Sequence, residues 1–165
     1  MTTTTSNWWK STTVYHIYIR SFLDTNGDGI GDLDGVIAKL DYIQSMGFES
    51  IWISPFTESP QKDFGYDISD YQAISPLFGT MQTVEKLLQE VHARGMKLIL
   101  DMVLNHTSAE HAWFKESASS RDNPKADWYV WKDGKGKDGL QRPNNWRAMA
   151  GNRAWTYHPV RKQFY

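Results

Sequence analysis

The sequence contains no cysteine, which excludes a disulfide framework and any thiolate metal site and leaves the redox compartment open. It has no apolar run approaching the ~18 residues of a membrane-spanning helix, so no membrane partner is expected. Its opening, MTTTTSNWWK, lacks a basic start followed by an apolar stretch and does not read as a secretory leader, which makes the cytoplasm the expected compartment. An excess of one charge is missing as well. Eighteen Lys and Arg against nineteen Asp and Glu give a formal charge of -1, so nucleic acid is not an expected partner. What is abundant is aromatic: 14% of the residues, with eight Trp and eight Tyr, which suits a sugar-stacking surface or a large core equally well. At 165 residues the chain can enclose one real core but is short of the larger enzyme folds.

Val14 to Phe22, VYHIYIRSF, is β-branched and aromatic and reads as a buried strand. Leu33, Val36, Ile37, Leu40, Ile43 and Met46 recur at helical spacing and stop at Gly47, which predicts one helix from Leu33 to Met46. SIWISP, from Ser50 to Pro55, reads as a second strand, and Phe56 to Gly79, with its prolines and glycines, as a long ordered loop. Thr80 opens a second helix that turns Val84, Leu87, Leu88 and Val91 inward, and KLILDMV, from Lys97 to Val103, is a third strand. Strand and helix alternating in this way predict an α/β fold of parallel strands with right-handed crossovers, whose sites lie at the strand C-termini. After Leu104 the alternation stops and an irregular excursion begins. Three strands with such a tail neither close a barrel nor complete an open sheet, so the remainder of a longer polypeptide is expected as the partner of this stretch.

Between the first strand and the first helix lies DTNGDGIGD. Its oxygen donors fall at positions 1, 3 and 5 of a calcium-type loop (Asp24, Asn26, Asp28), with Gly29 at 6, the Ile30 carbonyl at 7 and Asp32 at 9. The bidentate Glu of an EF-hand is replaced by Gly35, and a strand rather than a helix precedes the loop, so this is not a helix-pair sensor. The residues suit either a structural calcium site or an acidic turn that binds nothing.

Two further loops carry chemistry. DMVLNH gathers Asp101, Asn105 and His106 at the end of the third strand, where a site would lie, although each could simply be a satisfied polar residue. DFGYD, in the loop after the second strand, sets Asp63 and Tyr66 around Gly65. Tyr66 offers a flat face and a hydroxyl, as a sugar ring requires, and a solvated turn is the alternative.

Taken together, WWK, VYHIYIRSF, DTNGDGIGD, GDLDGVIAKLDYI, GFESIWISP, GYDISDY, FGTM, DMVLNHTS with EHAWF, and PNNW, running in order from Trp8 to Trp155, resemble the N-terminal part of the alpha-amylase family (glycoside hydrolase family 13), in its oligo-1,6-glucosidase and alpha-glucosidase branch. The resemblance implies the first three βα units of an eight-stranded (β/α)8 TIM barrel over residues 1–104. An incomplete domain inserted after the third strand would occupy 105–165. It implies calcium as a structural cofactor, held by Asp24, Asn26, Asp28, Asp32 and the carbonyl of Ile30.

The resemblance further implies that Asp63, Tyr66 and His106 hold the glucose ring of an alpha-linked gluco-oligosaccharide at the cleavage subsite. Tyr66 would stack on the ring and Asp63 and His106 would bond its hydroxyls, with Asp101 and Asn105 as support. The chemistry implied is retaining hydrolysis by a carboxylate nucleophile and a carboxylic acid. Both groups are expected downstream of Tyr165, so the 165 residues alone should be inactive. Where the branch carries an aromatic before the AW pair, this sequence has Ala150, which leaves linkage preference open. The alternative is a non-catalytic sugar-binding or assembly protein built on a partial amylase fold.

Overall fold

The computed structural model describes residues 7–149 and 151–165, and the expectation for Ala150 lies outside them. The chain divides into two compact units, Met1–His106 and Thr107–Tyr165. No described helix is long and apolar enough to cross a membrane.

In the first unit, β1 (Val14–Ile17), β2 (Ser50–Ile53) and a third strand, Lys97–Leu100, form one parallel sheet with β2 at its centre. Val14 pairs with Ser50 and Ser50 with Lys97, so the three strands run in step and their C-terminal ends open on the same edge. The helices between them are α1 (Leu33–Ala38), α2 (Leu40–Ser45) and α3 (Met81–Ala93). Ile17, Ile51 and Ile53 from the sheet are fully buried with Val36, Leu40, Ile43, Leu87 and Val91 from the helices. Each such side chain contributes about 1.5–3 kcal/mol relative to exposure.

The expected helix over 33–46 is two helices. Lys39, at φ -105° and ψ 3°, ends α1 and starts α2, and Met46 lies beyond the end of α2, 42% exposed. The apolar spacing runs through the break because both pieces turn the same stripe to the sheet. α3 begins at Thr80 in a reciprocal capping arrangement with Thr83. Leu88 of α3 is exposed rather than inward, because it sits one residue, hence about 100° around the helix, from the buried Leu87.

The strands are shorter than expected. β1 stops at Ile17 and a 3-10 turn, Ile19–Ser21, follows it. The strand at Lys97–Leu100 ends one residue before Asp101, so Asp101 stands past the strand and not inside it. The long stretch after β2 is not a plain loop: β3 (Thr57–Glu58) and β4 (Asp70–Ile74) pair antiparallel within it. With these in chain order, the strand at Lys97–Leu100 is β5.

The second unit contains α4 (Ala112–Ser119) and an antiparallel pair, β6 (Tyr157–His158) and β7 (Gln163–Phe164). The sequence reading gave no helix here. α4 is capped by His111, whose Nδ1 accepts the Trp113 N–H, a role that composition does not reveal. Phe114, Trp131, His158 and Tyr165 form an aromatic cluster. The buried Arg161 guanidinium lies 4.5 Å over Trp131 and donates to the carbonyls of Ser117 (2.6 Å) and Ser120 (3.1 Å) and to Gln163 Oε1 (2.7 Å).

Candidate functional site

At the C-terminal ends of β2 and β5, Gly65 makes the turn that presents Tyr66. Its φ is +97°, and a Cβ there would lie 2.8 Å from the Pro55 carbonyl oxygen, so only glycine allows this approach. Around it, Asp67 fixes the loop from within. Its Oδ1 accepts the Ser59 hydroxyl (2.9 Å) and the Asp63 N–H (3.0 Å), and its Oδ2 accepts the Lys62 N–H (2.9 Å). The Asp63 carbonyl in turn accepts the Tyr66 N–H at 2.9 Å.

The structure brings Tyr66, Asp101, Asn105 and His106 into one connected group. The Tyr66 hydroxyl donates to Asp101 Oδ2 at 2.9 Å. His106 Nε2 lies 2.9 Å from the Tyr66 carbonyl oxygen, and because a carbonyl can only accept, Nε2 carries the proton. Nδ1 of a neutral imidazole is then an acceptor, matched by the Asn105 amide at 3.2 Å. Burial first, and then the hydrogen bond to Asp101, hold the Tyr66 phenol above its ordinary pKa of 10.0; the Asp63 charge acts in the same direction and a Ser54 hydrogen bond opposes it. Asp63 itself is exposed and is fastened through its backbone.

Three contributors were not singled out from the sequence. Asp67 stands at the end of the quoted DFGYD, and its three accepted hydrogen bonds are invisible without the fold. The Tyr71 hydroxyl lies 2.7 Å from the Val103 carbonyl oxygen and 2.9 Å from that of His106, which holds the segment after β5 in place. His16 stacks on Trp52 with ring centroids 4.0 Å apart and bonds the Ser54 hydroxyl at 3.0 Å. The pairing of β1 with β2 sets residues 16 and 52 side by side, so correct pairing of the two strands would have found this contact.

The loop over Asp24–Asp32 is a run of side-chain-to-backbone turns. Asp24 accepts N–H groups from Asn26 (3.1 Å), Gly27 (2.7 Å) and Gly29 (2.8 Å), Asn26 Oδ1 accepts from Asp28 (2.9 Å), and Asp28 Oδ1 accepts from Ile30 (2.7 Å). The Gly29 bond foremost holds the Asp24 carboxyl below its ordinary value of 3.8. Asp32 joins the loop to α1: its Oδ1 caps the helix by accepting the Gly35 N–H (2.7 Å), and its Oδ2 accepts the Thr25 N–H (2.8 Å) and hydroxyl (2.7 Å). The donor set is hard oxygen throughout, which fits calcium chemically. The carboxylates are aimed at the loop's own N–H groups, and among the described residues no three acidic or imidazole side chains gather.

Parallel strands with helical crossovers, and a Tyr, an Asp and a His gathered at their C-terminal ends, define an α/β protein whose candidate site is on the strand-end loops. Residues 16–165 match the family described as "Alpha amylase, catalytic domain", and the chain belongs to that family. It is 55% identical to the oligo-1,6-glucosidase of Heyndrickxia coagulans over 160 residues, which is 97% of this chain and 28% of that enzyme. Among solved structures it resembles an alpha-glucosyl transfer enzyme (56% identity, TM-score 0.91, 96% of this chain and 29% of the other). It also resembles a MutB variant in complex with the substrate sucrose (48% identity, TM-score 0.92, 97% and 28%). The chain thus spans between a quarter and a third of the length of these relatives, and its first unit is part of a (β/α)8 barrel.

Proposed function

We propose that these residues form the sugar-holding wall of a retaining alpha-glucosidase that removes alpha-linked glucose from short oligosaccharides. The observation that carries the reading is the connected group of Tyr66, Asp101, Asn105 and His106 at the strand ends. Tyr66 supplies a flat face for the ring, and Asp101 fixes its hydroxyl. In this reading the exposed Asp63 carboxylate would bond a sugar hydroxyl, and His106 would do so by exchanging one of its two ring contacts, with the Asn105 amide or the Tyr66 carbonyl, for the sugar. Asp101 is engaged by Tyr66, so it acts as support, and the nucleophile and general acid are assigned to residues outside this chain.

The reading is tested in the full-length parent. His106→Ala should lower kcat/KM by about 2 kcal/mol, the scale of a polar contact that tightens in the transition state. Unchanged kinetics would remove His106 from the site. Glucosyl transfer to an acceptor other than water is the second reading, supported by the 56% identity to an alpha-glucosyl transfer enzyme. Product analysis with a sugar acceptor present separates the two.

Calcium is part of the same proposal. Asp24, Asn26, Asp28, Asp32 and the Ile30 carbonyl would hold it, and its role would be to fasten the loop between β1 and α1. Chelation should lower the melting temperature of the parent, and Asp28→Ala should abolish that calcium dependence. A melting temperature indifferent to calcium in the parent would refute it.

A further inference from the structure

All nineteen acidic residues of the chain precede residue 139, whereas five of its eighteen basic residues follow it. Three of the five, Arg142, Arg147 and Arg153, line a pocket of about 160 Å³ in the second unit together with Asn144, Asn145 and Trp146. Arg147 and Arg153 stand opposite one another on an antiparallel bridge. Like charges so placed repel, and an anion between them would turn the repulsion into attraction.

The frame around the pocket has hydrogen bonds of its own besides those of the arginines. The Trp155 indole N–H donates to Asn144 Oδ1 at 2.6 Å, the same oxygen accepts the Trp146 N–H at 3.0 Å, and the Ala154 N–H donates to the Trp146 carbonyl at 3.0 Å. Trp146 and Trp155 are stacked, with centroids 6.2 Å apart and planes within 19°, and Trp146 remains 65% exposed. Arg142 Nε donates to the Trp155 carbonyl (3.4 Å) and Arg147 Nη1 to the Gly151 carbonyl (3.0 Å). These bonds engage one donor on each of Arg142 and Arg147 and leave their other donors for a ligand. Among the described residues none of the three arginines has a carboxylate partner.

We infer that this pocket binds the phosphate group of a phosphorylated sugar, with the three guanidinium groups around the dianion and the exposed indole of Trp146 under the sugar ring. Three cations exceed what a single carboxylate would balance, and guanidinium forks match phosphate oxygens in pairs. The inference stands on the second unit alone and goes beyond the glucosidase reading.

The test is calorimetric titration of the 165-residue chain with glucose 6-phosphate, inorganic phosphate and glucose at one ionic strength. Saturable binding of glucose 6-phosphate, weaker binding of inorganic phosphate and none of glucose is the expected order. The double variant Arg147→Gln, Arg153→Gln should weaken glucose 6-phosphate by about tenfold or more, the scale of one lost charge-assisted hydrogen bond. Trp146→Ala should bring glucose 6-phosphate down to the affinity of inorganic phosphate, and serves if the double variant does not fold. Glucose binding as tightly as glucose 6-phosphate would overturn the inference. So would inorganic phosphate matching glucose 6-phosphate in the parent, or a single-stranded oligonucleotide of the same phosphate concentration binding more tightly than either.

Discussion

Gly65 shows how much of the site depends on one absent side chain. With φ at +97° and the Pro55 carbonyl oxygen 2.8 Å from where a Cβ would stand, an alanine there meets both backbone strain and a clash. Gly65→Ala should destabilise the chain by about 1–3 kcal/mol, read as a lower urea midpoint at unchanged slope. An unchanged midpoint would mean that the turn relaxes freely. The sequence pointed to this glycine and to Tyr66 because both act locally, through a backbone dihedral and a side-chain type. Asp67 escaped notice for the opposite reason: Ser59, Lys62 and Asp63 converge on it only after the loop has folded.

At the scale of elements, α3 was the most legible because its signals agree. Thr80 caps it, Leu87 and Val91 fall on one stripe, and Gly95 follows its end. Thr80→Ala removes the hydroxyl that accepts the Thr83 N–H, and should lower stability by about 0.5–2 kcal/mol in chemical denaturation. No change would mean that packing of Leu87 and Val91 sets the start of the helix without help from the cap. The break at Lys39 was not legible, since hydrophobic periodicity counts phase and a single non-helical residue between two short helices preserves it. The β3–β4 hairpin was missed because its two strands are short and their register is irregular between Thr57 and Glu58. Strand ends were overrun in the same way: VYHIYIRSF stays apolar and aromatic beyond Ile17, but a 3-10 turn takes over at Ile19.

At the scale of the whole molecule, the described sheet has β2 paired on both sides and β1 and β5 paired on one. The β5 side carries Leu100, 46% exposed, and Met102 and Leu104 beyond it are 63% and 79% exposed. Open strand edges beside exposed apolar side chains favour association. The 165-residue polypeptide should therefore sediment as larger species with rising concentration, and the full-length parent should do so less. A monomer at every accessible concentration would show that these edges are protected in another way. The succession of parallel strands and crossover helices was readable from hydrophobic patterning. The internal frame of the second unit was not, because it rests on aromatic packing and on Arg161, whose guanidinium reaches carbonyls some forty residues away in sequence.

The Tyr71 hydroxyl, in contact with the carbonyls of both Val103 and His106, ties a hairpin strand to the segment that carries the imidazole. In terms of amide hydrogen exchange, the two stretches should open as a single cooperative unit. Fluctuation of the β3–β4 hairpin then reaches the site from two sides at once, because the loop between its strands carries Asp63 and Tyr66 while Tyr71 of β4 holds the segment of His106.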